Sequence, residues 1–226
     1  MRKYAIPKLL YLVAVVMLVS LSFGVTYAYF SATVTVTGTA KMNQLVCYWI
    51  DSPTFTQVSG IVSDTSEIQL VNTLQIGEHT RIKVQVDSTT QREISLGIGR
   101  QGNDVEAYCR IKLVALYSVD DWVTSKDCSS SISLTNSYVD SSSGEDVTKY
   151  NDINGHGWTR DGNYYYYGTK ASPTPFATNA IKLDVAEYIH LASNATPELY
   201  GASVKITLSL DIVQSAHDAH TFVWKD

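Results

Sequence analysis

Apolar and polar residues alternate along most of this chain, and a period of two is typical of β-strands that bury one face. The longest example is residues 204–212, Val-Lys-Ile-Thr-Leu-Ser-Leu-Asp-Ile, which places five apolar side chains on one face. Helical periodicity is almost absent after residue 28. The pattern therefore predicts an all-β protein made of antiparallel sheets, and we expect them to pack as a β-sandwich.

Shorter segments of strand length follow the same pattern and are bounded by Gly, Ser, Asp or Pro. We predict strands at residues 32–37, 45–50, 67–71, 81–87, 93–98, 108–117, 164–167 and 181–185. The polar residues 88–91 separate two of these segments and predict a hairpin. The polar residues 118–121 lie between 108–117 and the short segment 122–124, and they predict a second hairpin.

The composition changes between residues 129 and 161, where Ser, Asn, Asp and Gly dominate. Turn-forming residues at this density predict a long surface loop inserted into the fold. The residues from 29 to 226 are within reach of a single large sandwich, so we expect one domain that carries this insertion.

The N-terminus has the features of a secretory signal peptide. Three basic residues within the first eight precede an apolar run at 9–19, and small residues follow at Thr26 and Ala28. We predict cleavage between Ala28 and Tyr29, which makes the mature protein secreted, extracellular or attached to the cell surface. Contact with the membrane is then transient, through the signal peptide alone.

A retained membrane anchor is the alternative to cleavage, because residues 9–25 approach the ~17-residue lower limit for spanning a bilayer. The small residues directly after the apolar run favour cleavage. Removing the signal changes the formal net charge from −5 to −8, since it carries three basic residues and no acidic ones. A mildly acidic chain has no electrostatic attraction to nucleic acid, so we expect no nucleic acid partner.

Three cysteines, Cys47, Cys109 and Cys128, enter a compartment that permits disulfides, and their odd number leaves at least one unpaired. If the second hairpin is centred between Ser118 and Val119, Cys109 and Cys128 lie opposite each other at a distance that a disulfide spans. We therefore predict that pair, with Cys47 as a buried thiol. A bridge between Cys47 and Cys109 remains the alternative.

The sequence contains neither of the protease motifs that we sought, His-Glu-x-x-His and Gly-x-Ser-x-Gly. His217 and His220 lack a defined third metal ligand. Residues 152–163 have part of the spacing of a calcium loop, but His156 replaces an oxygen ligand and Asn163 stands where a bidentate Glu is needed. We predict no enzymatic activity, no metal site and no cofactor.

Four consecutive tyrosines, Tyr164, Tyr165, Tyr166 and Tyr167, follow the tight-turn residues 161–163. Because successive side chains of a strand point to opposite faces, their rings are a candidate platform for stacking a ligand. The alternative is structural, with two rings packed inward and two covering the sheet.

Short motifs occur in a consistent order along the chain. Residues 26–33 read Thr-Tyr-Ala-Tyr-Phe-Ser-Ala-Thr across the predicted cleavage site, and in 158–167 an Asp-Gly turn precedes the tyrosines. Residues 204–216 end in Val-Gln-Ser-Ala, and 70–86 have a strand, polar turn, strand pattern. These motifs resemble the TasA and camelysin family, secreted proteins of Gram-positive bacteria that a dedicated signal peptidase processes.

The resemblance implies a jelly-roll or immunoglobulin-like β-sandwich, which in some members polymerises into biofilm-matrix fibres. In such fibres the mature N-terminal strand completes a neighbouring subunit. This chain differs in its three cysteines and in the polar segment 129–161. Some members of the camelysin type have been described as proteases, which makes a secreted peptidase one alternative.

Residues 29–37 have the composition of a donated strand, because they alternate and carry no charged side chain. The donor face would be formed by Phe30, Ala32, Val34 and Val36. The same segment would also suit the first strand of its own sandwich. We expect a structural protein of the cell surface or biofilm matrix, whose partners are its own copies, head to tail, or other matrix or surface proteins. A monomeric binding module or adhesin is the main alternative.

Overall fold

A computed structural model of the chain describes residues 46–52, 54, 56–58, 65–85, 88–101, 106–176, 182–199, 202–215 and 219–224. The predicted cleavage site, Ala28 and Tyr29, lies outside the described residues. So does the predicted donor strand with Phe30, Ala32, Val34 and Val36. The described residues belong to one compact unit, Asn43–Asp226.

The regular elements are short strands joined mostly by turns. The strands are β1 (Val46–Asp51), β2 (Thr56–Gln57), β3 (Thr65–Leu70), β4 (His79–Arg81), β5 (Lys83–Gln85), β6 (Gln91–Glu93), β7 (Leu96–Gln101), β8 (Ala107–Ser118), β9 (Lys126–Asp127), β10 (Ile132–Asp140), β11 (Val147–Asp152), β12 (Trp158–Asp161), β13 (Tyr164–Tyr167), β14 (Lys182–Ala186), β15 (Tyr188–Leu191) and β16 (Ser203–Gln214). The described residues also form two 3₁₀ turns (Ser129–Ser131, Pro197–Leu199) and a short helix near the C-terminus (Ala219–Val223). None of the helices in the described part of the chain has the length and apolar character that crossing a bilayer requires.

The strands form three sheets in which the paired strands are antiparallel. Sheet A has the order β14-β7-β1-β2, sheet B the order β12-β13-β8-β16-β3-β5-β6 with β9 beside β8, and sheet C the order β11-β10-β15-β4. The all-β, antiparallel class predicted from alternation is thus confirmed, and the architecture is sandwich-like.

The two longest strands, β8 and β16, form the centre of sheet B. They pair along their whole length, from Ser203 opposite Ser118 to Gln214 opposite Ala107. Alternate residues of both strands are buried in one core, as the period of two requires. The strand predicted at 204–212 is therefore confirmed, with one or two more residues at each end.

The inner faces of the three sheets contribute to this core, and the chain crosses between sheets at a few defined points. Ile82 lies between β4 of sheet C and β5 of sheet B, and it is fully buried. Its N–H donates to the Glu187 carbonyl (3.0 Å), at the point where the chain passes from β14 of sheet A to β15 of sheet C. Its own carbonyl accepts from Ile94 (2.9 Å), between β6 and β7. Three crossings thus share one hydrogen-bonded junction.

The prediction of a long loop at 129–161 is wrong. This segment contains β10, β11 and β12, and β10 and β11 are half of sheet C. The β10–β11 hairpin extends beyond β15, which pairs only with the first four residues of β10. Both faces of the extension are largely in water, so its strands carry the polar residues that a loop also carries, and composition does not separate the two.

The first predicted hairpin is only partly correct. Residues 83–85 and 91–93 do pair across the polar turn, but β7 leaves sheet B and pairs with β1 in sheet A. The change of sheet occurs at Ile94, whose side chain is buried. Alternation continues through this crossing and so does not reveal it.

The predicted disulfide between Cys109 and Cys128 is also wrong, and all three cysteines are buried free thiols. Cys128 donates its N–H to the Ala115 carbonyl (2.9 Å), so it lies beside Ala115 and not beside Cys109. Roughly six residues of extended chain separate those two positions on β8, which is roughly 20 Å. No disulfide spans that distance.

Candidate functional site

The tyrosine strand β13 pairs with β8 and with β12, and its four rings have different surroundings. Tyr165 belongs to the core and Tyr167 packs against the core beside Trp158 (ring centroids 5.3 Å apart). Tyr166 is fully buried on the opposite face, where Trp224 of the C-terminal segment covers it (5.7 Å). Two of the four rings are therefore inaccessible, and the arrangement matches the structural alternative with two rings inward and two on the outer face.

Arg110 organises the outer face of β13 and β8. Its guanidinium lies 4.2 Å from the ring centroid of Tyr164 and 5.2 Å from that of Trp224. It also forms an ion pair with Asp211 (3.0 Å), its cross-strand partner, and donates to the Tyr166 hydroxyl (3.5 Å). Burial acts to lower the pKa of Arg110, but the hydrogen bonds with Tyr166 and Asp211 raise it above its usual value. Arg110 thus holds the aromatic rings together as a fixed cation.

The remaining accessible ring of this face is Tyr164, which borders an open depression of about 480 Å³. Lys112 approaches the same ring (5.6 Å), and Lys170, which also lines the depression, pairs with Asp161 (3.5 Å). An aromatic ring that shares a depression with lysines has the chemistry to contact an acidic or hydroxylated group. Only one of the four predicted platform tyrosines contributes to it from the outer face.

A second aromatic cluster, which sequence reasoning missed, lies on the outer face of sheet C. His79 stacks on Tyr150 (4.0 Å) and on His190 (4.2 Å), which is its cross-strand partner. Burial, and after it the charge of His190, lowers the pKa of His79. The three residues lie on three different strands that are distant in sequence, so no local sequence pattern predicts the cluster.

No group of three His, Cys, Asp or Glu residues suited to a metal ion occurs within the described ranges. His220, on the C-terminal helix, instead packs edge-on against Tyr108 (4.9 Å). In the calcium-like segment, Asp152 accepts from the Asn154 N–H (2.9 Å), and Asn154 accepts from the Arg160 N–H (3.0 Å). These side chains fix a turn and its hairpin.

Sheet B has one long strand side without a partner among the described residues. β3 pairs with β16 through all six of its residues, but with β5 only through Leu70. Residues 65–69 therefore present their backbone groups on the side of β5 with no described strand opposite them. An unpaired strand side of this length is a template for the addition of another strand.

The direction of the free groups follows from the last hydrogen bond on that side. Val71 donates its N–H to the Lys83 carbonyl (3.0 Å). Because backbone groups alternate in direction along a strand, the N–H groups of Gln69, Glu67 and Thr65 point to the same side. The bonds to β16 use the intervening residues. The open side can thus be altered without breaking the β3–β16 ladder.

The three buried thiols and Tyr165 predict a loss of stability at high pH in the reduced protein. Burial raises the pKa of Cys47 from 9.0 to about 12, and that of Tyr165 from 10.0 to about 12. The folded state therefore keeps protons that the unfolded chain releases, so stability is complete below about pH 9 and falls as the pH rises toward 12.

Urea unfolding near neutral pH and at about pH 10.5 measures this effect, and the midpoint is expected to fall at the higher pH. A Cys47→Ala variant removes one of the titrating groups and should show a smaller fall. An equal midpoint at both pH values would contradict the burial of these groups.

Comparison with family models, curated proteins and solved structures gave no significant match for this chain.

Proposed function

We propose that this protein is a secreted structural subunit of the cell surface or biofilm matrix, with a jelly-roll or immunoglobulin-like sandwich. It assembles head to tail when the mature N-terminal strand of one copy pairs with an open sheet side of the next. The signal peptide is cleaved after Ala28, and Tyr29 begins the donated segment. The proposal rests on the resemblance to the TasA and camelysin family and on the properties of the described sheets.

The observation that carries the proposal is the side of β3 at residues 65–69, which has no strand opposite it within the described ranges. A strand added there gains main-chain hydrogen bonds from the outward N–H groups of β3 and from the adjacent carbonyls. Its apolar side chains would extend the face that Ile68 and Leu70 present to the core. Repetition of one such contact between identical subunits gives an open filament.

Deleting residues 29–38 is expected to abolish filaments while leaving a folded monomer. Size-exclusion chromatography and negative-stain microscopy compare this variant with the protein that begins at Tyr29. Filaments from the deleted protein would exclude the N-terminal segment as the donor.

A matched pair of charge substitutions separates donation from the alternative that the segment is the protein's own first strand. Val34→Asp places a charge on the apolar face of the segment, and Thr35→Asp places the same charge on the polar face. Donation predicts that only Val34→Asp blocks filaments and that both monomers unfold at the same midpoint. A lower unfolding midpoint for the Val34→Asp monomer would indicate an intramolecular strand.

The acceptor side has its own test at Gln69, whose side chain is exposed. Gln69→Pro removes one N–H donor from the open side and keeps the bonds to β16. Gln69→Thr retains the N–H and is the control. We expect at least about a tenfold lower filament yield for Gln69→Pro alone, since proline cannot donate to the added strand. Equal yields for the two variants would show that β3 is not the acceptor.

A surface binding module is the second candidate, and the depression beside Tyr164 favours it. Folded monomers from every variant and from the unaltered protein would support this function over assembly. Tyr164→Ala, measured for binding to acidic polysaccharide, would then be the direct test.

A further inference from the structure

Two of the three cysteines lie on inner faces of different sheets. Cys47 belongs to β1 of sheet A and Cys109 to β8 of sheet B, and both are in the same core cluster with at most 1% of their surface exposed. Cys128 directly follows β9 and lies beside Ala115 of β8. The fold therefore separates the cysteines into a pair and a single residue.

Hydrogen bonds tie the surroundings of Cys47 to those of Cys109. Arg100 is the cross-strand partner of Cys47, so the two side chains share the inner face of sheet A. Its Nη1 donates to the Phe176 carbonyl (2.8 Å), and the same carbonyl accepts from the Ala107 N–H (3.4 Å). Ala107 is two residues before Cys109 and lies on the same face of β8. One carbonyl thus connects the two sheets next to both thiols.

The electrostatics of the thiols agree with this placement. Burial raises the pKa of Cys109 most, Cys47 raises it further, and Arg100 lowers it. Burial raises the pKa of Cys47, and Arg100 again acts against it. The pKa of Cys128 is raised to about 11 by burial and then by Asp127, with no contribution from the other thiols. Cys47, Cys109 and Arg100 therefore form one interacting group.

We propose that Cys47 and Cys109 form an inter-sheet disulfide when the chain folds in an oxidising compartment, and that Cys128 remains a free thiol. The two thiols lose two protons and two electrons, and a disulfide oxidant accepts them and becomes two thiols. The product resembles the inter-sheet disulfide of antibody domains, which packs against a buried tryptophan. Trp49 is fully buried two residues after Cys47 and is available for that contact.

The disulfide is expected to form while the chain folds and not after folding is complete. Both thiols are buried and their raised pKa values keep them protonated, whereas the attacking species in exchange is the thiolate. In the unfolded chain the thiols are solvated and ionise near their usual pKa. Oxidant therefore has to act before the sheets close, as it does on a chain that emerges unfolded into an oxidising space.

Peptide mapping tests the pairing directly. The full chain is unfolded, refolded in a glutathione redox buffer, alkylated under denaturing conditions and digested with trypsin without reduction. Cleavage after Lys and Arg places the cysteines in three separate peptides, residues 42–81, 101–110 and 127–149. The expected product is a cross-link between the first two, with the third alkylated. Three alkylated peptides, or any bridge that includes 127–149, would overturn the proposal.

Variants give an independent check. Cys128→Ala should still refold to a protein without free thiols, whereas Cys109→Ala should retain two. If Cys109→Ala does not fold, the peptide map of the unaltered chain alone decides whether Cys47 and Cys109 pair. Reduction of the bridged protein is expected to lower the thermal unfolding midpoint by roughly 10 °C, since the bridge closes a long loop. An unchanged midpoint together with an unbridged map would reject the pair, whether or not filaments form.

Discussion

Replacing Arg160 by methionine is expected to lower the free energy of unfolding by about 3 kcal/mol, because hydrogen bonds from a charged donor to buried acceptors are among the stronger ones. Arg160 lies on β12 of sheet B. Its guanidinium donates to the carbonyls of Ser129 (2.7 Å) and Ile132 (2.7 Å), at the start of the segment that becomes sheet C. It also donates to the hydroxyl of Tyr165 (3.2 Å). The Arg160 side chain therefore connects sheet B to the start of the segment that forms sheet C.

Methionine keeps most of the packing volume of Arg160 but removes the charged donor from both carbonyls. The Ser129 carbonyl then keeps its bond from the Ile132 N–H, and the Ile132 carbonyl loses the bond from Arg160. Arg160→Lys retains the charge, yet a single ammonium cannot reproduce the planar fork, so an intermediate loss is expected. Urea unfolding followed by tryptophan fluorescence provides the free energies. The control is Lys149→Met, which removes an exposed ion pair with Asp140 and should leave the urea midpoint nearly unchanged. A loss for Arg160→Met as small as that of the control would show that the sheets are held together elsewhere.

Replacing Gly168 by alanine is expected to cost about 3 kcal/mol, from backbone strain together with overpacking. Gly168 has a φ of +85°, and a Cβ placed on it would lie 2.5 Å from the Thr174 nitrogen and 2.9 Å from the Ser172 carbonyl oxygen. Backbone atoms at those distances have to move. Because Phe176 follows Thr174 closely and its carbonyl binds Arg100, the shift is expected to loosen the region beside Cys47 and Cys109 as well.

Gly144 is a matched control for this substitution. Its φ of +83° is nearly the same, but a Cβ placed on it would have nothing within 4 Å. Gly144→Ala should therefore cost only the strain, about 1–2 kcal/mol. The difference between the two urea midpoints measures the crowding at Gly168. Equal losses would mean that the chain at Thr174 moves away without cost.

The local pattern of the chain was enough to predict its class and several strands. Alternation depends only on the side-chain period of two, which is a property of extended backbone in any sheet. The strand around Leu208 is found where the pattern places it, and so is the tyrosine strand. The structural alternative for the tyrosines, with two rings packed inward and two on the other face, also depends on this period alone.

Strand pairing could not be predicted from the local pattern in the same way, and the position of Cys128 illustrates the reason. The turn after β8 is longer than predicted, because Asp120 accepts from the Thr124 N–H (3.0 Å) and from the Ser118 hydroxyl (2.7 Å). Extra residues in that turn place Cys128 beside Ala115 and well away from Cys109 on β8. Register depends on turn geometry, and a small change in the turn changes every cross-strand neighbour.

By itself, then, the sequence determined that this protein is all-β, which residues of its clear strands share a face, and that its N-terminal segment has the composition of a signal and a donor strand. Only the tertiary structure decided that 129–161 forms strands, that Trp224 covers Tyr166, and that Cys47 and Cys109 occupy different sheets around one core. It also decided that one side of β3 has no strand opposite it in the part of the chain that the structure describes. The physical reason is that face and period are set by neighbours along the chain. Which strands pair and which side chains are covered depend on residues far away in sequence. These contacts stabilise the protein only when the sheets come together.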